Sequence, residues 1–428
     1  MRKIPLLLAS FLFLLPATAV ASTVNVDCGN PSPPPGTFST MGAALSTLPF
    51  IGPNTVNVAG TCTESLNLIG YQNLTIQAAT LGAATINPTN PNTQAFNLTS
   101  SRLITFRRLI LERGLRIGRD SEATVDNCTV EASTGIGINV GPQAIATITG
   151  STIQNNAGAG VRANSNSSVL LGGNIIGQAV LITGNGGGGI SGDGSAFDLN
   201  GNVTVENNNS NGISMAGGRL NLNGGTADNI VRNNQFSGVF LTTAASANFF
   251  GQNLIQNNPV IGVAVIGSSA QINERVLPDT TIRATLIEGS INSGITVAHS
   301  GHLTIVGHHK IRNNGGTTDC PSTTCGGVRV FNSSTFETAN GVEITNNIGP
   351  GIFTDMHADI VVTEPITVTG NSDADIQLTL SSGLIVLAGV TSNTIGLVTC
   401  DDTGFVSGEL SGIGTINCKN LIGQKKIK

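Results

Sequence analysis

The sequence predicts an all-β solenoid: a stack of three-sided coils of about 24 residues, with three short strands in each. Three observations carry this. From Ile138 to Ile376 one phrase recurs: a β-branched residue, then Asn-Asn or Gly-Asn, then a short bend closing on Gly and another β-branched residue. Examples are Ile153-Gln-Asn-Asn156 with Gly160-Val161, and Val231-Arg-Asn-Asn234 with Gly238-Val239. The residues that close the bend fall at 138, 161, 190, 213, 239, 263, 295, 328, 352 and 376, in steps of 23 to 33, and a period in this range marks a repeat architecture. In the cleanest coils Val328, Phe336, Ile344 and Ile352 stand eight apart. Each side alternates apolar-x-apolar, as in Leu303-Thr-Ile305 and Ile360-Val-Val362, which is strand periodicity and excludes helix in the body.

Stacking such coils sets every strand beside its counterpart one coil on, in parallel, about 4.8 Å away. Connections between parallel strands in one sheet are right-handed, so the expected fold is a right-handed parallel β-helix. In the bend, Asn tolerates the left-handed backbone region and bonds to neighbouring backbone. Eight bends place Asn three residues past the apolar residue: Asn156, Asn185, Asn208, Asn234, Asn258, Asn314, Asn347 and Asn371. At one phase these predict an internal ladder of amide hydrogen bonds, with Ser133 and Ser290 as its gaps.

The pattern resembles the right-handed parallel β-helix proteins of the pectin-lyase-like superfamily, in particular exported bacterial members of uncharacterised function. The resemblance covers about residues 36 to 395 and extends to the N-terminus. There the amphipathic segment Phe38-Ser-Thr-Met-Gly-Ala-Ala-Leu-Ser-Thr-Leu48 precedes Thr55-Val-Asn-Val58 and Gly60-Thr-Cys-Thr-Glu64. In the family a helix caps this end and Gly-x-Tyr-x-Glu opens the first coil; here Cys62 stands in place of the Tyr. The motif is shared by enzymes and non-enzymes, so it identifies the fold far better than the function.

Residues 1–21 read as a secretory signal peptide: Arg2 and Lys3, an apolar run from Pro5 to Pro16, and Ala19-Val-Ala21 before Ser22. The expected division is then a leader and cap over 22–59, the β-helix over 60–399 in about thirteen coils, and a C-terminal cap or tail over 400–428. Such an end cap covers strand edges that an open coil would present to other chains. No membrane span is expected after signal cleavage. The expected location is periplasmic, cell-surface or extracellular.

Only 11% of residues are charged, the net charge is −5, and 55 residues are glycine, which suits aliphatic coil interiors with Ser, Thr and Asn outside. Nothing points to nucleic acid. The densest basic stretch, Arg102, Arg107, Arg108, Arg113, Arg116 and Arg119, is interleaved with Glu112, Asp120, Glu122 and Asp126 and reads as a solvated face, with an acidic-glycan site as the alternative. Export permits disulfides. Proximity pairs Cys320 with Cys325, Cys400 with Cys418 and Cys28 with Cys62, leaving Cys128 as a buried thiol.

Chemistry on such a fold sits on outward faces, where residues one coil apart become neighbours. One column runs Gln154, Thr183, Glu206, Arg232, Gln256, Glu288, Arg312, Thr345 and Thr369. It sets Glu206 beside Arg232 and Glu288 beside Arg312, with Lys310 near Glu343. These read as exposed cross-strand ion pairs. The catalytic alternative for the cluster of His308, His309, Lys310, Arg312, Glu288 and Glu343 is a polysaccharide lyase, which needs a base and a calcium ion or cationic side chain to neutralise a uronate carboxyl.

Dense carboxylate groups of the kind that hold hard cations are not seen in the sequence. The Asn-Thr-Asp, Asp-Asp and Gly-His-Gly segments of polygalacturonase-like hydrolases and the Gln-Asp-Thr-Leu segment of pectin methylesterases are absent. His299 and His302, with His308 and His309, raise a metal site, against which stand separate exposed histidines. With no Trp and one Tyr the chain has few rings for a sugar platform; Phe240 and Phe353 occupy outward positions.

The expectation is an exported, monomeric, non-catalytic β-helix without cofactor, acting as a scaffold or in contact with a polysaccharide or cell-surface partner. The alternative is a polysaccharide lyase or related enzyme on acidic glycans, for which calcium would be the cofactor.

Overall fold

The computed structural model describes residues 21–173, 178–316 and 325–422. Almost all of the signal segment lies outside these residues, as does Cys320 and with it the expected Cys320–Cys325 bridge. Apart from one short helix and a two-stranded hairpin, the described strands form one 43-stranded sheet wound into three faces. The first face carries strands such as Leu115–Ile117, Val161–Asn164 and Ile352–Asp355; the second, Arg102–Arg107, Glu122–Asp126 and Thr335–Ala339; the third, Thr129–Glu131, Lys310–Arg312 and Glu343–Thr345. Pairing between coils is parallel on every face: Val328 lies beside Ile352 and Ile352 beside Ile376, Phe336 beside Ile360, and Ile344 beside Val368. All of these side chains point into the stack and are buried. The eight-residue spacing is thus one interior position on each face of the triangle.

At the N-terminus the expected cap is a helix, Met41–Ser46, whose Met41, Ala44 and Leu45 are buried against the first coil. Thr40 caps it by accepting a hydrogen bond from the Ala43 N–H. Glu64 explains the Gly-x-Cys-x-Glu signal. Its carboxylate accepts from the N–H groups of Met41 (2.7 Å) and Gly42 (2.8 Å), two donors a helix start leaves without intrahelical partners. Cys62, in the place of the family's Tyr, is disulfide-bonded to Cys28 and ties the leader to the same coil.

The stack runs past both expected boundaries. Ser22–Asp27, expected in the leader, pairs in parallel with Ile51–Cys62. At the other end Phe405–Gly408 pairs with Gly383–Val386 and Asn420–Ile422 with Phe405–Gly408, so the tail closes the stack by continuing it. Its coils are shorter, and the Cys400–Cys418 disulfide crosslinks them. Asp401 pins the turn by accepting from the N–H groups of Leu380, Thr403 and Gly404 (2.8 Å each). Burial works to raise its pKa, but these bonds outweigh it and hold the carboxyl down at about 2.

The bend between third and first faces carries the ladder. Asn156 Nδ2 donates to Asn185 Oδ1 (2.9 Å), Asn185 to Asn208 (2.9 Å), Asn208 to Asn234 (3.0 Å) and Asn234 to Asn258 (3.1 Å). A second run joins Asn314 to Asn347 (3.1 Å) and Asn347 to Asn371 (2.9 Å), and Asn371 ends on Asp375. At the gap, the Ser290 N–H donates to Asn314 while its hydroxyl oxygen is buried without a partner. The two asparagines of each Asn-Asn pair divide the work. The first, as at Asn155, Asn207 and Asn233, takes the left-handed backbone conformation, and the second forms the ladder. Glycine closes the bend for lack of space: a Cβ on Gly212 would sit 2.7 Å from Asn234 Nδ2 and 2.7 Å from the Gly238 carbonyl oxygen.

Candidate functional site

The third face carries the charged cluster, and the register places its members as the column alignment requires. Arg232 Nε meets Glu206 at 2.7 Å, Arg312 Nε meets Glu288 at 3.0 Å, and Lys310 Nζ meets Glu343 at 3.0 Å. Gln256 Nε2 also donates to Glu288 (2.8 Å). Each pair spans adjacent coils, because parallel neighbours in a solenoid share one position of the triangle.

One member of the cluster was not legible in the sequence. Residues 275–283 leave the stack as a short hairpin, with Arg275–Val276 antiparallel to Ile282–Arg283, and this insertion accounts for the long step from 263 to 295. Its base is tied by Glu274, whose Oε2 accepts from the His308 N–H (2.8 Å) and lies 2.8 Å from His308 Nδ1. Burial works to raise the Glu274 pKa, but the His308 contacts outweigh it and hold the carboxyl below its usual value. The other end is tied by an Arg283–Asp228 ion pair. Between hairpin and face lies a cleft of about 320 Å³, lined by Gln252, Leu254, Ile282, Leu286, His308, Lys310 and Arg312 among others.

Strand alternation sends His308 and Lys310 outward and His309 inward. His309 is buried in the bend between second and third faces. Its Nδ1 accepts from the Thr285 N–H (2.9 Å), so the ring proton sits on Nε2 and is donated to the Val306 carbonyl (3.0 Å). Burial, against these contacts, lowers its pKa to about 4, and it is neutral at pH 7.

His299 and His302 do not converge with the other two. His299 packs edge-on to Phe331, and His302 Nε2 lies 3.1 Å from the Thr304 hydroxyl. Among the described residues no group of three or more His, Cys, Asp or Glu is placed to hold a metal. Phe240 is half-buried and Phe353, expected to face outward in contact with solvent, is buried. Tyr71 is buried as well, and its hydroxyl donates to the Leu45 carbonyl behind the cap helix. Cys128 is a buried free thiol, pushed up to about 12 chiefly by burial, which leaves it protonated and unreactive at neutral pH.

Residues 113–275 match the family model described as a right handed beta helix region. Among solved structures, the chain is similar to the catalytic unit of a thermostable GH87 alpha-1,3-glucanase from Streptomyces thermodiastaticus strain HF3-3, at 14% identity and a TM-score of 0.37 over 87% of this chain and 64% of that one. It thus spans less than two thirds of that catalytic unit. It is also similar to pectate lyase Pel9A (11% identity, TM-score 0.24, 95% of this chain and 80% of that one). A third is the A-module of the Azotobacter vinelandii mannuronan C-5 epimerase AlgE4 (10%, 0.26, 86% and 87%). At these scores the likenesses carry no argument about activity. No curated protein matches the chain in sequence.

Proposed function

We propose that this β-helix protein is exported, monomeric and non-catalytic, and that its stiff prism presents long polar faces to a glycan or cell-surface partner, with no resident cofactor. The observation that supports this best is the pairing on the third face. A lyase needs a base free to take a proton and a cation free to neutralise a uronate carboxyl. Lys310, Arg312 and Arg232 are instead each committed to a carboxylate, and His309 is buried and neutral with both ring nitrogens bonded; His308, outward and held by Glu274 through Nδ1, is the candidate base that remains, so the reading rests on the third face having each of these cations already paired. Export is supported by the signal-like segment and by the two disulfides, which persist in oxidising compartments. No helix among the described residues is long and apolar enough to cross a membrane.

The cleft beside Lys310 and Arg312 keeps the lyase reading testable. Purified protein incubated with acidic and neutral polysaccharides, with and without calcium, is expected to release no unsaturated uronide, read as ultraviolet absorbance. Calcium-dependent product that disappears in Lys310→Ala or Arg312→Ala would overturn the non-catalytic reading.

A further inference from the structure

The hairpin at 275–283 packs on the third face where that face changes character. One outward column reads, coil by coil, Thr204, Ile230, Leu254, Leu286, Lys310 and Glu343. Three aliphatic side chains on successive coils thus stand outside the stack, each half-buried, while their strand neighbours Val231, Ile255 and Ile287 fill the interior. Strand alternation puts the two sets on opposite sides, so the core does not need the outer three.

The hairpin is held over this stripe at both ends and does not fill the space beneath it. Glu274 fixes its start to His308, and the Arg283–Asp228 ion pair fixes its return. Ile282, on the returning strand, stays 44% exposed and lines the cleft of about 320 Å³ together with Leu254 and Leu286. A second cleft of about 370 Å³, lined by Arg283, Ile230 and Thr204 among others, continues the column one coil earlier. One coil past Leu286 the first cleft is lined by His308, Lys310 and Arg312, and among the described residues no carboxylate lines it. Glu343 takes one of the three Lys310 donors and Glu288 takes only Nε of Arg312, so each cation keeps N–H groups for a ligand.

We infer that this strapped cleft binds a free medium-chain fatty acid, with the acyl chain laid over Leu286 and Leu254 toward Ile230 and the carboxylate on Lys310 and Arg312. The site is independent of the glycan reading, which concerns the long polar faces. Small-molecule sites combine apolar walls with a few placed polar groups. Here the two kinds of group are segregated along one line, which selects an amphiphile over a sugar or a compact anion. The three coil steps from Lys310 to Ile230 span about 14 Å, the reach of an extended medium-chain acyl group. The strap sets the width: one unbranched chain passes beneath it, whereas a peptide or a two-chain lipid would require its release.

The test is isothermal titration of purified protein with decanoate, hexanoate and decanol, each below its aggregation concentration. Decanoate is expected to fill one site, and hexanoate to bind at least about tenfold more weakly because it leaves the far part of the stripe bare. The Leu254→Gln/Leu286→Gln double variant should lose at least about tenfold in decanoate affinity, with a melting temperature near wild type because both positions are outward. Lys310→Ala/Arg312→Ala should weaken decanoate about tenfold and leave decanol unchanged, a split that general loss of structure would not produce. Arg232→Ala, which breaks an ion pair on the same face outside the cleft, should bind as wild type. Equal affinity for hexanoate and decanoate, or full binding by a folded leucine variant, would overturn the site; if that variant does not fold, the chain-length comparison decides. Decanol bound as tightly as decanoate would overturn the placement of the head. Absence of saturable decanoate binding would remove the proposal and leave the glycan reading untouched.

Discussion

Two bends of the same triangle hold buried polar side chains, and they solve the same problem differently. Between third and first faces one residue type repeats, so within a run each asparagine oxygen accepts both the backbone N–H and the side-chain N–H of the asparagine one coil before: Asn234 Oδ1 from Asn208 at 3.2 and 3.0 Å, Asn258 Oδ1 from Asn234 at 3.1 and 3.1 Å. Between second and third faces the types are mixed. Asn229 Nδ2 donates to Asn253 (3.1 Å), Asn253 reaches Thr285 Oγ1 (3.4 Å), and the Thr285 N–H ends on His309. The mixed column leaves Asn229 Oδ1 buried without a partner. A group that is both donor and acceptor propagates by translation, whereas a mixed column has to be completed locally at every step.

The largest effect should come from the mixed column, because it holds the ionisable member. The folded pKa of His309 lies at about 4, below the ordinary 6.5. A depressed histidine binds its proton more readily in the unfolded chain, so its contribution to stability is complete above pH 6.5 and is lost as pH falls toward 4. That loss amounts to about 3 kcal/mol. Denaturant unfolding at pH 7 and pH 4 should show wild type losing about that much more than His309→Gln, because carboxylates shared by both cancel in the difference. Parallel pH profiles for the two proteins would mean that His309 is charged when folded and that the mixed column is arranged otherwise.

Next come the asparagines. Asn234→Ala removes the acceptor for two Asn208 donors and also the bonds from Asn234 Nδ2 to Val205, Arg232 and Asn258. Leaving buried partners unsatisfied should cost about 1–3 kcal/mol. Asn258→Ala should cost less, since the ladder breaks at Ser290 and the Asn258 side chain donates only to the Val231 carbonyl. Thermal melts in which Asn258→Ala equals or exceeds Asn234→Ala would break the argument that each rung is supported from both sides.

The same contrast explains what could be read in advance. The ladder, the third-face ion pairs and the interior of each coil follow from a fixed period, because in a stack the position along the period sets the neighbour. Glu206 next to Arg232 needed nothing else. The hairpin at 275–283, the Glu274–His308 contact and the mixed column arise where the period is interrupted, and there sequence spacing no longer gives distance. Cys28 finding Cys62 was legible only as proximity, and the role of Glu64 as the anchor of the cap helix not at all, since its partners are backbone groups. In the arginine-rich stretch sequence adjacency likewise fails to give distance: Arg116 lies on the first face, Arg107 and Asp126 on the second and Glu112 on the third.

The smallest effect should belong to the outward pairs, although their geometry matches the ladder in distance. Arg232 and Glu206 meet at 2.7 Å, yet the arginine side chain is 43% exposed, so water and salt screen the attraction and either ion is readily solvated when its partner is removed. Arg232→Ala should therefore shift stability by well under about 1 kcal/mol, and less still at high salt. Inside the stack a stranded amide has no water to turn to. Calorimetry in low and high salt separates the two cases: a salt-independent loss for Arg232→Ala as large as that for Asn234→Ala would show that the outer faces carry as much of the fold as the bends, and would collapse the distinction between them.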